Sequence, residues 1–300
     1  MAMDIGNWNT TAELNAIYSQ ARALGVETCI AELEAFGFTV VPPEKVAPKG
    51  FTDRMLAALL RIADAEGEGN VDLNTRAQKD RPVYGRNLFH LIAKDPVFAE
   101  AVMNPVALTL GKYLTGASCR LYSNVAFLKK GEAGVTKIHS DSVGIPPPFP
   151  SYGHMCNISW ILTDYTEEKG TFFLVPGSHR YCRHPMAPDQ PRMMGGPNDD
   201  DIGMPVIAKP GSLLIFNGNM WHGTYPKKDT AVRAHVVTAL ARNYLDPAED
   251  FSDVPDEIVE KYGPEFARLL GRDKWQGYGS GGPKYDRMLA VNRAQHTPSA

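Results

Sequence analysis

The 300-residue chain contains no run approaching the roughly 18 consecutive apolar residues of a membrane span. Its opening, MAMDIGNWNTTAEL, has no basic segment followed by an apolar one. No membrane partner and no secretory leader are therefore expected. Cysteine is scarce: Cys29, Cys119, Cys156 and Cys182 are scattered, with no Cys-x-x-Cys spacing. This argues against a zinc or disulfide framework and fits free thiols in a reducing, cytoplasmic setting. An excess of one charge is also missing. With 31 basic and 34 acidic residues the formal net charge is −3, so nothing electrostatic calls for nucleic acid. No Gly-x-Ser-x-Gly elbow, internal repeat or low-complexity tract occurs.

What the chain does have is a change of character near its middle. The first part reads as helices over Thr10–Leu24 and Glu27–Phe36, a short strand over Gly37–Val41 closed by Pro42-Pro43, and an amphipathic helix over Phe51–Ala65. Residues 66–79 are polar and read as a loop. Asn87–Ile92 and Asp95–Phe98 lead into a helix ending near Asn104-Pro105, and another covers Val106–Leu114. From Cys119 to Tyr244 short strand-like runs alternate with Gly, Pro, Asn and Asp, the pattern of a sandwich or barrel. Two long interruptions, Ser142–His154 and Tyr181–Lys209, have the length of functional lids. The tail from Asp246 carries a helical stretch, Pro255–Leu270, which Gly263-Pro264 should break. It is read as packing on the barrel or on a second subunit of a homodimer. The length suits one domain over residues 1–300, with a helical part at 10–115, a β core at about 119–244 and the tail at 246–300.

The chemistry concentrates in Thr136-Lys-Ile-His139-Ser140-Asp141. In an extended chain His139 and Asp141 point to one face, because strands alternate with period two. An imidazole and a carboxylate so placed can take adjacent corners of a metal's coordination sphere. A third ligand would complete a two-His, one-carboxylate set with open positions, which suits non-haem Fe(II). Downstream, Pro210-Gly211 turns into the apolar run Leu213–Phe216, a second turn follows at Asn217-Gly218-Asn219, and His222 comes next. Arg233 then lies inside the largely apolar strand Ala231–Leu240. A buried guanidinium is costly without an anion, so its position asks for a carboxylate.

The ordered set His139-x-Asp141, Gly170-Thr-Phe-Phe-Leu-Val-Pro-Gly-Ser-His179, His222, and Arg233 eleven positions later resembles the phytanoyl-CoA dioxygenase family, over about Ala31 to Tyr244. The resemblance implies a mainly β fold with flanking helices, a double-stranded β-helix of the jelly-roll, cupin-like kind. It implies an oxygenase that uses Fe(II), 2-oxoglutarate and O2 to oxidise a C–H of a small molecule, releasing succinate and CO2. By that likeness His139, Asp141 and His222 bind iron, and Arg233 grips the far carboxylate of 2-oxoglutarate with its planar fork. Asn157 and Thr224 are the residues chosen to hydrogen-bond the cosubstrate. An intact Asp141 favours hydroxylation over halogenation, because halogenating relatives carry a small residue there. A metal-binding jelly roll without catalysis is the other reading, but it would have no use for Arg233. His179 is read as a turn residue, His154 and His184 as loop residues, and Trp160 and Trp221 as core. His235 shares Arg233's face and is expected near the far end of the cosubstrate.

Overall fold

The computed structural model describes residues 10–66, 86–129, 135–186, 189, 203–229, 231–272, 278–279 and 281–283. Helices α1 (Thr10–Ala23) and α2 (Glu27–Phe36) precede strand β1 (Phe38–Val41). Then come α3 (Pro43–Val46), α4 (Phe51–Ala65), β2 (Arg86–Leu88), α5 (Leu91–Lys94), α6 (Pro96–Val102) and α7 (Pro105–Thr115). The β region follows: β3 (Arg120–Lys129), β4 (Thr136–His139), β5 (Met155–Ile161), β6 (Phe172–Leu174), β7 (Met204–Pro205), β8 (Leu213–Asn217), β9 (His222–Thr224) and β10 (Arg233–Ala241). Helix α8 (Asp256–Leu269) and a two-strand hairpin, β11 (Tyr278–Gly279) with β12 (Gly282–Pro283), end the described chain.

Local chemistry sets the element boundaries. Gly37 ends α2 in the left-handed region (φ 87°), its N–H returning to the Leu33 carbonyl. Asp95 and Asn104 cap α6 and α7, Asp95 accepting from the Val97 N–H and Asn104 from the Val106 and Ala107 N–H groups, with proline at the next position. The strands form two antiparallel sheets, β1-β8-β5-β10-β3-β2 and β4-β9-β6-β7. This is the expected mainly β, jelly-roll architecture.

Alternation within the large sheet decides what goes where. Along β10, Ala234, Val236 and Leu240 belong to the main hydrophobic cluster, while Arg233, His235, Val237 and Ala239 line a cavity. On β5 the same split puts Cys156, Ile158 and Trp160 in the cluster and Met155, Asn157 and Ser159 in the cavity. The helices cover the first face: Phe51 of α4 meets Trp160 edge-on, with ring centroids 5.1 Å apart. The four-stranded sheet lends Thr136, Phe172, His222 and Thr224 to the cavity. One buried cluster thus runs from α2 through the large sheet to Phe266 and Leu269 of α8.

The helix expected after Asn87 is replaced at its start by a strand. Arg86–Leu88 pairs with Ala126–Leu128 at the edge of β3, and His90 turns left-handed (φ 54°) before the single turn of α5. Leu88 is fully buried there, and covering the edge of β3 outweighs a local helical pattern. Helix α8 is interrupted as expected, at a non-helical Gly263 (φ 77°), and packs on its own chain. Within the second long loop Met204–Pro205 pairs with β6. The polar segment 67–79, Asp199–Asp201 and the last residues lie outside the described residues.

Candidate active site

Two turns and one ladder bring the expected residues together. His139 ends β4 and His222 begins β9, and the two are direct partners in the antiparallel register. Their rings lie side by side with centroids 4.2 Å apart. Asp141 is fixed by the turn that carries the chain from β8 to β9: its N–H donates to the Gly218 carbonyl at 3.0 Å, and Ser142 Oγ donates to Asn219 Oδ1. Each imidazole uses Nδ1 on a backbone carbonyl, His139 on Lys137 at 2.8 Å and His222 on Met220 at 3.1 Å. Both Nε2 atoms are thereby directed at Asp141, at 3.5 Å from Oδ1 and Oδ2 respectively. One ligating atom from each of the three lies within 4.8 Å of the others.

The donor set fits a divalent iron. Neighbouring ligands of a facial set with metal bonds of about 2.1 Å sit about 3 Å apart, close to the spacing here. A histidine whose other ring nitrogen is held by a carbonyl is the usual form of a metal-binding histidine. The electrostatics agree. Burial pushes the Asp141 carboxyl up, but His222, His139 and the Asn157 amide outweigh it and hold it at about 2. Burial, partly offset by Asp141, leaves His222 down at about 4, so its ring is neutral near pH 7. Burial also opposes charge on His139, but its contact with Asp141 reverses the shift to a net rise.

A cavity of about 390 Å³ runs from this group between the sheets. At one end lie Arg233, Lys129, His235, Thr136 and Thr224; towards the other, along the same strands, lie Tyr122, Val125, Met155, Val237 and Ala239, and Val143 also lines the cavity. Arg233 is 1 % exposed, and its Nε and Nη1 have no hydrogen-bond partner. The rings of Tyr165 and Phe172 lie 5.4 Å and 5.8 Å from its guanidinium. His235 stacks on Phe127 at 5.0 Å; burial first, then Arg233 and Lys129, drive its pKa far down, so it is a neutral neighbour.

Asn157 and Thr224 both line this cavity, already engaged. The Asn157 amide donates to Asp141 Oδ2. Thr224 Oγ1 accepts from the Thr136 N–H at 2.9 Å and from Lys129 Nζ at 3.2 Å. His184 and His154 lie outside the cavity lining, bonded to Ser140 and Tyr244. His179 sits in a one-turn 3-10 helix, and Trp160 and Trp221 are buried. Lys129 carries no functional signal in the sequence. Beside Lys130 and Gly131 it looks like part of a solvated turn, and only its place opposite Arg233 marks it otherwise.

The family model described as phytanoyl-CoA dioxygenase matches residues 33–234. Among curated proteins the chain is 26 % identical to dioxygenase af480 of Aspergillus fumigatus, over 82 % of this chain and 77 % of the relative. It is 30 % identical to dioxygenase trt7 of Aspergillus terreus, over 42 % of this chain and 40 % of the relative. Among solved structures it is similar in fold to HygX from Streptomyces hygroscopicus with nickel and 2-oxoglutarate bound. There the TM-score is 0.57 at 18 % identity, covering 76 % of this chain and 93 % of that one. The 2-oxoglutarate-dependent epimerase SnoN of nogalamycin biosynthesis gives a TM-score of 0.53 at 19 % identity, over 74 % and 83 %.

Proposed function

Because the chain belongs to the phytanoyl-CoA dioxygenase family, and so is an Fe(II)- and 2-oxoglutarate-dependent dioxygenase, we propose that it hydroxylates an unactivated C–H of an apolar small molecule. His139, Asp141 and His222 hold the iron through His139 Nε2, His222 Nε2 and a carboxylate oxygen of Asp141. Asn157 anchors that carboxylate by donating to Oδ2, and the Lys137 and Met220 carbonyls fix the imidazole tautomers. Arg233 receives the far carboxylate of 2-oxoglutarate, with Thr224 beside it. Once bound, iron and cosubstrate supply activation of O2 coupled to decarboxylation to succinate and CO2.

The observation that carries this reading is a convergence. One cavity joins a two-His, one-carboxylate cluster to a buried, unpartnered guanidinium. A barrel that merely stored metal would bear the cost of Arg233 without return. The wall of Val125, Met155, Val237 and Ala239 suits an apolar substrate. Val143 is 81 % exposed on the loop that follows Asp141, which supports that loop as the substrate-selecting lid. The intact Asp141 supports hydroxylation.

The same reading takes residues 1–300 as one domain, acting in the cytoplasm without nucleic-acid or membrane partners. Four free cysteines and a net charge of −3 support it, and no helix of the described residues is long and apolar enough to cross a membrane. The homodimer allowed by the tail is checked by sedimentation. To test the centre, 2-oxoglutarate is added anaerobically to the Fe(II)-loaded protein. A weak visible charge-transfer band is expected in the wild type and none in His139→Ala, Asp141→Ala or His222→Ala. A full band in His222→Ala would reject the distal ligand. A panel of apolar metabolites, scored by succinate release, then identifies the substrate.

A further inference from the structure

We propose that Lys129 is a second cationic anchor for the far carboxylate of 2-oxoglutarate, acting beside Arg233 and selecting a dicarboxylate over a 2-oxo acid that ends in a methyl group. The inference rests on the cosubstrate reading of the cavity and adds to it a residue and a specificity. Lys129 ends β3, is 5 % exposed, and lines the same end of the cavity as its cross-strand partner Arg233. An ammonium has three donors. The one hydrogen bond seen for it runs 3.2 Å to Thr224 Oγ1, a hydroxyl that is already accepting from the Thr136 N–H and lies 3.1 Å from Thr136 Oγ1.

Two cations are therefore buried side by side, and among the described residues neither forms an ion pair with a carboxylate. Among the described residues the one acid lining the cavity, Asp141, faces His139, His222 and Asn157. His235 is neutral, and Tyr165 beside Arg233 has its phenol pushed up by burial, so neither brings a negative charge. Burying an unpaired charge is costly enough that folds avoid it unless a counter-charge arrives. Burial, then Arg233, lowers the Lys129 pKa to about 7, the direction expected of an ammonium that lacks its anion. A carboxylate entering from the metal end meets the open Nε and Nη1 of Arg233 and the spare donors of Lys129 together. The alternative is a structural role, in which Lys129 only steadies Thr224.

These roles separate by ligand. Fe(II)-loaded wild type, Lys129→Met, Lys129→Arg and Arg233→Ala are titrated anaerobically with 2-oxoglutarate and with 2-oxopentanoate, which has the same chain length but ends in a methyl group. The expected result for Lys129→Met is a 2-oxoglutarate affinity about 10- to 100-fold weaker, the loss typical of one charged hydrogen bond. Binding of 2-oxopentanoate stays within about twofold or improves, and Lys129→Arg recovers part of the loss. Unchanged 2-oxoglutarate affinity in Lys129→Met, or in Lys129→Gln should Lys129→Met not fold, with Fe(II) still bound, overturns the proposal. Equal weakening of both ligands also overturns it and assigns Lys129 the structural role. Should Lys129→Met fail to fold, a Lys129→Arg that weakens both ligands alike rejects the proposal just as well. If wild type and Arg233→Ala bind 2-oxoglutarate equally, the cosubstrate reading itself fails, and that outcome is visible without any Lys129 variant.

Discussion

Lys129 and Arg233 are direct partners across the β3–β10 ladder, two like charges on a buried cross-strand pair. Like charges placed opposite each other destabilise a sheet. The site is thus bought at the expense of the fold.

A stability measurement without cosubstrate should expose that cost. Lys129→Met is expected to raise the unfolding free energy by about 1–4 kcal/mol, as apolar replacement of buried charge often does. The pH dependence has a defined sign. Lys129 has its folded pKa lowered from 10.5 to about 7, so below about pH 7 it is charged in both states and the burial penalty is complete. As pH rises from 7 towards 10.5, the folded form sheds a proton that the unfolded form keeps, and the penalty fades. The gain from Lys129→Met should therefore be largest near or below pH 7 and vanish near pH 10.5, as urea titrations across that range would show.

Arg233→Ala should weaken 2-oxoglutarate binding by roughly 30- to several-thousand-fold, the loss of about 2–5 kcal/mol seen when a buried charged partner is removed. Fe(II) binding should survive, because the guanidinium is no part of the His139, Asp141 and His222 cluster. Arg233→Lys should recover only part of the loss, since an ammonium lacks the bidentate fork. Calorimetric titration of metal and cosubstrate in turn checks both statements.

Asn157 tests the support of the carboxylate. Its amide donates to Asp141 Oδ2, so Asn157→Ala should reduce metal affinity by about 10- to 100-fold, as losses of such supporting bonds do. Asn157→Asp should be worse, placing a second carboxylate against the first. Competition with a chelator of known affinity measures both.

Gly223, between His222 and Thr224, has no room for a side chain. A Cβ there would lie 2.5 Å from the Thr136 carbonyl oxygen and would run into the Phe173 ring. Since backbone cannot yield as a flexible side chain does, Gly223→Ala should push β9 from β4 and separate the two imidazoles. Expected outcomes are a destabilisation of about 1–3 kcal/mol, typical of overpacking, and a loss of metal affinity. Thermal melts with and without metal would register both.

How far the sequence leads is clear from particular residues. His139 and Asp141 are legible as a pair because two positions along a strand share a face, and His222 and Arg233 because their order and spacing resemble a known pattern. The inward and outward sets on β5 and β10 also follow from alternation alone. Lys129 is different: its burial depends on Thr224 from one sheet and Arg233 from another strand, contacts with no short-range signature. Asn157 is legible as a cavity residue, while the atom it donates to depends on where the 217–219 turn sets Asp141. The strand at Arg86–Leu88 is hidden for a similar reason, since the demand it meets belongs to the edge of β3.

Between Ala239 and Leu240 the β3–β10 register shifts, leaving Tyr122 as the extra residue on β3. Its carbonyl accepts from the N–H groups of Ala248 and Glu249, and the Glu249 carboxylate in turn accepts from the N–H groups of His90 and Asn124. Tyr122 itself lines the apolar end of the cavity. The apolar end of the cavity is thus tied to chain far from the His139–Asp141 motif, in the segment before α5 and in the stretch after β10. A change in either outlying segment would therefore reshape the apolar end while leaving the His139, Asp141 and His222 cluster as it stands.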